Sequence, residues 1–148
     1  MRVRDLMTEN PATCTPDTEI PEVARLMAEH DCGVVPVVRD GNRVAGVVTD
    51  RDITIRVVAR DEIPNTVRVA EVMTEDPVTV SADADVDEAI RTLTEKRLRR
   101  VMVTDEHGGI VGVVAQADLA RHADPETVGE VVGRVSEPTP TASETTRA

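Results

Sequence analysis

The sequence predicts a mixed α/β (α+β) fold made of two similar units, each with the order strand, helix, strand, strand, helix. The first observation is an internal repeat, in which residues recur 66 positions apart without a gap. The second is that, in each copy, short β-branched runs alternate with segments of helical apolar spacing. A unit of about 60 residues can hardly bury a sufficient core alone, so we expect the two to pack around a pseudo-twofold axis. The recurring pairs are Met7 and Met73, Thr8 and Thr74, Pro11 and Pro77, Asp17 and Asp83, Glu22 and Glu88, Gly46 and Gly112, and Asp52 and Asp118.

Both units contain a similar set of predicted elements. Pro36 lies inside one predicted strand and cannot donate to a ladder, so we expect it at an edge or an irregular point where freed backbone can face a ligand. The first unit (1–60) has a lead-in helix at 3–7, a strand at 12–15, a helix at 20–30, strands at 34–38 and 43–49, and a helix at 51–59. After a linker at 61–68, the second unit (69–122) has strands at 78–80, 100–103 and 110–115 and helices at 85–97 and 116–121. A helix at 123–136 and a disordered tail at 137–148 follow.

The composition indicates an acidic protein without affinity for polyanions. Of 148 residues, 28 are Asp or Glu and 17 are Lys or Arg, which gives a formal net charge of −11. This charge repels nucleic acid, and no segment is long and apolar enough to cross a membrane. The start of the chain has no apolar stretch typical of a signal peptide, so we predict a cytoplasmic protein. Because Phe, Tyr and Trp are absent, a bound base would be held by aliphatic side chains and backbone.

The two cysteines are predicted to be reduced core residues. Cys14 and Cys32 are too few and too scattered for a disulfide framework or a structural zinc site. Each takes a position that is apolar in the other copy, Val80 and Leu98 respectively. The three histidines lie in unrelated local contexts, so no metal site is predicted.

The most informative stretch is an apolar strand that begins at Gly46, ends at Thr49 and leads into a helix bearing Asp52. Free backbone N–H groups at a helix start attract phosphate, and Asp52 could accept hydrogen bonds from sugar hydroxyls. The alternative is a capping box, in which Thr49 accepts from the N–H of Asp52 and Asp52 reaches back. In the second copy Ala115 replaces the hydroxyl, so no box can form, yet Asp118 is retained. This retention favours a binding role for the carboxylate.

The two copies, with Pro36 in one strand and Gly-Val-Val-Thr-Asp-Arg-Asp at the end of the next, resemble a tandem of CBS domains, named from cystathionine β-synthase. The resemblance covers roughly residues 3–122. It implies a stand-alone Bateman-type module, a pseudosymmetric pair with two clefts between the repeats that often dimerises. It also implies a regulatory adenine-containing ligand such as AMP, ATP or S-adenosylmethionine, and a regulated partner protein.

The resemblance further implies roles for individual residues. Asp52 and Asp118 would hold the ribose hydroxyls in the two clefts, and Thr49 would hold a phosphate. Independently of the resemblance, the net charge of −11 leads us to expect that Arg51, beside them, offsets the repulsion between a phosphate and the acidic chain. The residues expected along the base in the first cleft are Val34, Val35 and Pro36, and those expected to reach phosphates in the second cleft are Arg99 and Arg100.

The second copy departs from the family pattern at two positions. Ala115 removes the expected hydroxyl, and Met102 stands where the family usually has Pro. We therefore expect the first cleft to bind more tightly and the second to be altered or empty.

No catalytic activity is predicted. The sequence has no nucleophile with a plausible base, no Walker-type phosphate loop and no metal-ligand spacing. The alternative to a ligand sensor is a structural or protein-interaction module, in which degenerate clefts stabilise a dimer that docks on a partner through the helix at 123–136. A homodimer is expected because the predicted helices carry apolar faces on more than one side.

Overall fold

The structure, a computed structural model, describes residues 1–121 and confirms the mixed α/β fold of two repeats. The strands are β1 (Thr8–Glu9), β2 (Val34–Arg39), β3 (Arg43–Thr49), β4 (Thr74–Glu75), β5 (Thr79–Ser81), β6 (Arg100–Thr104) and β7 (Ile110–Ala115). The helices are α1 (Ile20–His30), α2 (Asp50–Ile53), α3 (Val69–Val72), α4 (Val86–Lys96) and α5 (Gln116–Ala120). Shorter helical turns are the 3₁₀ turns Val3–Asp5, Asp40–Asn42 and Pro64–Thr66 and the π-helical turn Thr54–Val58, which continues α2.

Several predicted elements differ from the structure in extent. The predicted strand at 12–15 is reduced to a single bridge between Cys14 and Val37, because the N–H of Thr15 donates instead to Oγ1 of Thr18 in a turn. The lead-in helix at 3–7 is one 3₁₀ turn, and the helix at 51–59 is partly π-helical. The predicted helix at 123–136 and tail at 137–148 lie outside the described residues.

The two long helices, α1 and α4, end in the same way. Each is followed by a residue in the left-handed conformation, Asp31 with φ 48° and Arg97 with φ 54°. These two positions are equivalent in the repeat, which shows that the pseudosymmetry extends to single backbone conformations. Each helix buries one face, with Val23 and Leu93 completely shielded from solvent.

The two repeats exchange their lead-in strands, which are β1 and β4, the short strands that come first in each repeat. One sheet has the order β1-β7-β6-β5 and the other β2-β3-β4. Strand β1 of the first repeat therefore pairs with β7 of the second, with Thr8 opposite Val113. Strand β4 of the second repeat pairs with β3 of the first, with Thr74 opposite Val47. Each sheet is completed by a strand from the other repeat.

The exchange depends on two glycines at equivalent positions. A Cβ added to Gly46 would lie 2.7 Å from the carbonyl oxygen of Thr74, and one added to Gly112 would lie 2.9 Å from that of Thr8. The sulfur atoms of Met73 and Met7 cover the same two glycines, at 3.0 and 2.6 Å from the added atoms. In each half of the module, the repeated Met-Thr pair thus packs directly on the repeated glycine of the other repeat.

The exchanged segments also complete the hydrophobic cores. Val3 and Leu6 pack with second-repeat residues around Leu93, and Val69 and Val72 pack with first-repeat residues. A third, smaller apolar cluster joins the two sheets across the pseudo-twofold axis, and its members are Val38, Val44, Val47, Met102, Ile110 and Val113. Neither repeat has a complete core without the other.

Among residues 1–121, no helix is both long and apolar enough to span a bilayer.

Adding a methyl group at the exchanged strands should destabilise the module. We expect Gly46→Ala and Gly112→Ala each to lower the free energy of unfolding by about 1–3 kcal/mol, because the new Cβ meets a backbone carbonyl that cannot move alone. Urea denaturation followed by far-UV circular dichroism measures this. Gly33→Ala is the matched control, since its nearest neighbours are the ends of the Asp50 and Arg100 side chains, which can move. Equal stability of all three variants would contradict the close approach.

Both cysteines are free thiols, Cys14 buried and Cys32 half-buried. Desolvation raises the pKa of the Cys14 thiol to about 12, with a smaller contribution from the negative charge of Glu22. The thiol is therefore protonated, and a poor nucleophile, at neutral pH.

We expect Cys14→Val and Cys32→Leu to leave the fold nearly unchanged, at a cost of no more than about 1.5 kcal/mol each, because both exchange one apolar side chain for another. Denaturation midpoints and thiol labelling of the folded parent protein test this. Rapid labelling of Cys14 in the native state would show that the thiol is accessible and not a core residue.

Candidate functional site

The first candidate motif lies where β3 ends at Thr49 and the chain turns into α2. The N–H of Asp52 donates to Oγ1 of Thr49 at 3.1 Å, and the N–H of Thr49 donates to Oδ2 of Asp52 at 2.9 Å. These two bonds form the capping box that the spacing of the residues allowed. The Asp52 side chain is mostly buried, with 15% of its surface exposed.

The capping box uses only one of the two Asp52 carboxylate oxygens. Within residues 1–121, Oδ1 accepts no hydrogen bond, and its nearest cation is Nε of Arg56 at 4.0 Å. The guanidinium of Arg56 is held elsewhere, because its Nη1 donates to the carbonyls of Val72 at 2.9 Å and Met73 at 3.4 Å. Asp52 therefore keeps an acceptor for a ligand while the other oxygen supports the fold.

The second candidate motif lies where β7 ends at Ala115 and the chain turns into α5, and it corrects one inference from the sequence. Although Ala115 has no hydroxyl, its backbone N–H donates to Oδ2 of Asp118 at 2.7 Å. Half of the capping box needs only the carboxylate, so the retention of Asp118 does not by itself indicate a binding role. Asp118 is only 5% exposed, and its Oδ1 accepts from Nη2 of Arg121 at 2.5 Å.

The two arginines expected in the second cleft are divided between the repeats. Arg100 pairs with Ala115 through its backbone, but its Nη1 lies 3.3 Å from where a Cβ on Gly33 would be, beside the Asp50 carboxylate of the first repeat. The cationic group of Arg100 is therefore directed toward the first motif, and its expected role in the second cleft stays a prediction. Arg99 is exposed, and its carbonyl accepts from the N–H of Gln116 at 3.0 Å.

The predicted base-binding strand is more buried than expected. Val34 is half-buried and lies opposite Thr49 in the sheet, so it is next to the first motif. Val35 is fully buried in the first-repeat core, and its side chain therefore packs inside the repeat and not along a cleft surface. Pro36 lies on an edge strand, as predicted, but its carbonyl accepts from the N–H of Cys14 at 3.0 Å. Its backbone is thus not free to face a ligand.

Sequence reasoning missed Arg56 and Arg121, which lie four and three residues after the two motif carboxylates and on their helical faces. Arg51, which was predicted, is exposed on the first turn of α2. In the described part of the chain, no group of three or more His, Cys, Asp or Glu side chains could hold a metal ion.

A cavity of about 300 Å³ lies between the repeats, near the start of β3, and contains none of the predicted site residues. The sequence offered no motif that would have marked it. Its lining residues are Arg43, Val44, Asp76, Pro77, Thr79, Thr104 and Gly108.

The comparisons with known proteins agree with the repeat. The CBS domain model matches residues 3–59 and again 69–124. Hypoxic response protein 1 of Mycobacterium tuberculosis is 36% identical over 141 residues, which cover 95% of this chain and 97% of that protein. Its crystal structure, with two coordinated zinc ions, superposes with a TM-score of 0.75 at 33% identity and covers 84% of this chain and 100% of that one.

Two further solved structures contain adenine ligands. CBSX2 in complex with AMP has a TM-score of 0.70 at 28% identity, with 82% of this chain and 95% of that chain covered. The CBS domain pair of MJ0100, in complex with 5′-methylthioadenosine and S-adenosyl-L-methionine, has a TM-score of 0.72 at 25% identity, with 82% and 94% covered. With two matched domains spanning most of its length, the chain belongs to the CBS domain family, and its tandem pair is a Bateman module.

Proposed function

We propose that this protein is a stand-alone regulatory CBS pair that binds an adenine-containing ligand, such as AMP, ATP or S-adenosylmethionine, between its repeats. Binding would change the conformation of the module and signal to a partner protein. The observation that carries the proposal is the divided use of the mostly buried Asp52 side chain, whose Oδ2 holds the backbone while Oδ1 has no hydrogen-bond donor within residues 1–121. The adenine ligands of CBSX2 and MJ0100 support it.

The groups around Asp52 suit the parts of a nucleotide. A carboxylate oxygen accepts hydrogen bonds from ribose hydroxyls. Oγ1 of Thr49 already accepts from the N–H of Asp52, so its own hydrogen is available to donate to a phosphate oxygen. Arg100 and the exposed Arg51 supply positive charge in a chain of net charge −11. Val34 offers apolar surface beside the motif.

The proposed role does not include catalysis. The matched family model is the CBS domain, and a relative of nearly equal length is Hypoxic response protein 1. We place the protein among regulators, and its location in the cytoplasm is part of the same proposal.

Titration calorimetry with AMP, ATP, S-adenosylmethionine and 5′-methylthioadenosine tests ligand binding. We expect Asp52→Asn to weaken the tightest binding event about tenfold or more, because hydrogen bonds to a charged carboxylate are lost, at about 1.5–3 kcal/mol each. The amide oxygen still accepts from the N–H of Thr49, so the variant keeps the helix cap.

Asp118→Asn is the matched control and should leave that event largely intact. The opposite ranking of the two variants would contradict the assignment of the first cleft. Absence of heat from the parent protein with every adenine ligand would favour the alternative, an interaction module without a ligand.

The protein is also proposed to form a homodimer. Val58 and Ile63, near the end of the first repeat, are 62% and 63% exposed, and association with a second copy would remove this apolar surface from water. We expect multi-angle light scattering at micromolar concentration to give twice the chain mass, and Val58→Asp combined with Ile63→Asp to shift the mass toward the monomer. A monomeric parent protein would exclude the dimer.

A further inference from the structure

We infer that Arg121 is a built-in competitor of any ligand at the second motif, so that the module binds one ligand per chain until this arginine is displaced. The inference rests on the proposed function, because it concerns the second of the two proposed ligand sites. It goes beyond that function by naming the residue that gives the two repeat-related sites different affinities for a ligand.

The two motifs differ most in what their second carboxylate oxygen contacts. Oδ1 of Asp118 lies 2.5 Å from Nη2 of Arg121, a short charge-assisted hydrogen bond. Oδ1 of Asp52 lies 4.0 Å from Nε of Arg56, beyond hydrogen-bonding distance. Both carboxylates use Oδ2 to hold the backbone N–H three residues earlier, so Oδ1 is the oxygen that a ligand would need.

The two arginines are not equivalent because, among the contacts within residues 1–121, only Arg56 has a further partner. Arg56 donates to two backbone carbonyls at the end of α3, which keep its guanidinium away from Asp52. The side chain of Arg121 is 68% exposed while that of Asp118 is 7% exposed, so the arginine covers a buried carboxylate from the solvent side. To bind Asp118, a ribose would have to displace this charged guanidinium, and it would offer two neutral hydroxyl donors in its place.

The surroundings of Asp118 retain unused polar capacity. The amide nitrogen Nε2 of Gln116 is buried and has no hydrogen-bond partner within the described residues. Gln116 occupies the position that Asp50 has in the first repeat, and its backbone N–H donates to the carbonyl of Arg99 as that of Asp50 donates to the carbonyl of Gly33. A buried, unpaired donor two residues from Asp118 is what a polar ligand carrying an acceptor could satisfy.

The direction of the predicted effect separates competition from simple electrostatics. Removing an arginine from a chain of net charge −11 should weaken the binding of any anion. If Arg121 competes for Asp118, its removal should instead strengthen binding at the second motif. Adenosine is neutral, so with this ligand the general charge effect is small and the competition remains.

The test is titration calorimetry of the full chain with adenosine and with AMP. We expect one site per chain in the parent protein and a second site in Arg121→Ala, with affinity at least about tenfold higher than any second event of the parent. Arg25→Ala, which removes an exposed arginine of α1, is the matched control and should bind like the parent. Adding Asp118→Asn to Arg121→Ala should remove the second event again. Denaturation curves establish that each variant is folded.

The outcomes separate this inference from the proposed function. One site in both the parent and Arg121→Ala, with equal affinity, overturns the role of Arg121 and leaves the proposed function standing. Two sites in the parent protein likewise overturn the role of Arg121 and leave the proposed function standing. Weaker second-site binding of AMP in Arg121→Ala would show that the arginine contacts the phosphate and assists the ligand. No binding by any of these proteins overturns both proposals, whereas binding by Arg121→Ala alone supports the competitor and overturns the first-motif assignment.

Discussion

The architecture depends on the close approach of two extended segments to two glycines. The carbonyl oxygens of Thr8 and Thr74 lie only 2.9 and 2.7 Å from where a Cβ on Gly112 and on Gly46 would be. Because β1 and β4 are only two residues long, they have few backbone hydrogen bonds with which to hold their place, and the absence of a Cβ beneath them allows close packing. The methionines before them then cover the glycines and connect the strands to the cores. Both cores and both sheets require this contact.

The sequence was sufficient for the elements that local patterns determine, and insufficient for the exchange between repeats. Apolar spacing predicted α1, and β-branched runs bounded by turns predicted β3 and β7 with their observed ends. The periodicity that revealed two copies could not indicate whether β1 pairs with a strand of its own repeat or of the other repeat. Local contacts along the chain are the same in both cases. Only the pairing of distant strands distinguishes them, and that information is not local.

The candidate site was predicted in part. The spacing of Thr49 and Asp52 gave two interpretations, a cap and a ligand site, and the structure shows that a carboxylate with two oxygens is compatible with both. The position of the Arg100 guanidinium near Gly33 could not be predicted from the sequence, because a long side chain can start in one repeat and end beside the other. The burial of Val35 was missed for a different reason, since an apolar strand does not reveal which of its residues enter the core. Arg121 belongs to no sequence motif, and only its contact with Asp118 in the structure links it to the candidate site.

The exchange of lead-in strands has a consequence for the protein as it leaves the ribosome. The first core needs Val69 and Val72, so the first repeat cannot complete its packing until the whole linker and the start of the second repeat have been synthesised. Val3 and Leu6 must wait for β7 and for Leu119, more than a hundred residues later. Such distant contacts slow folding and leave apolar surface exposed during translation. The nascent chain therefore holds β1 unpaired while the hundred residues between β1 and β7 are synthesised, and the module becomes one folded unit only after β7 has emerged.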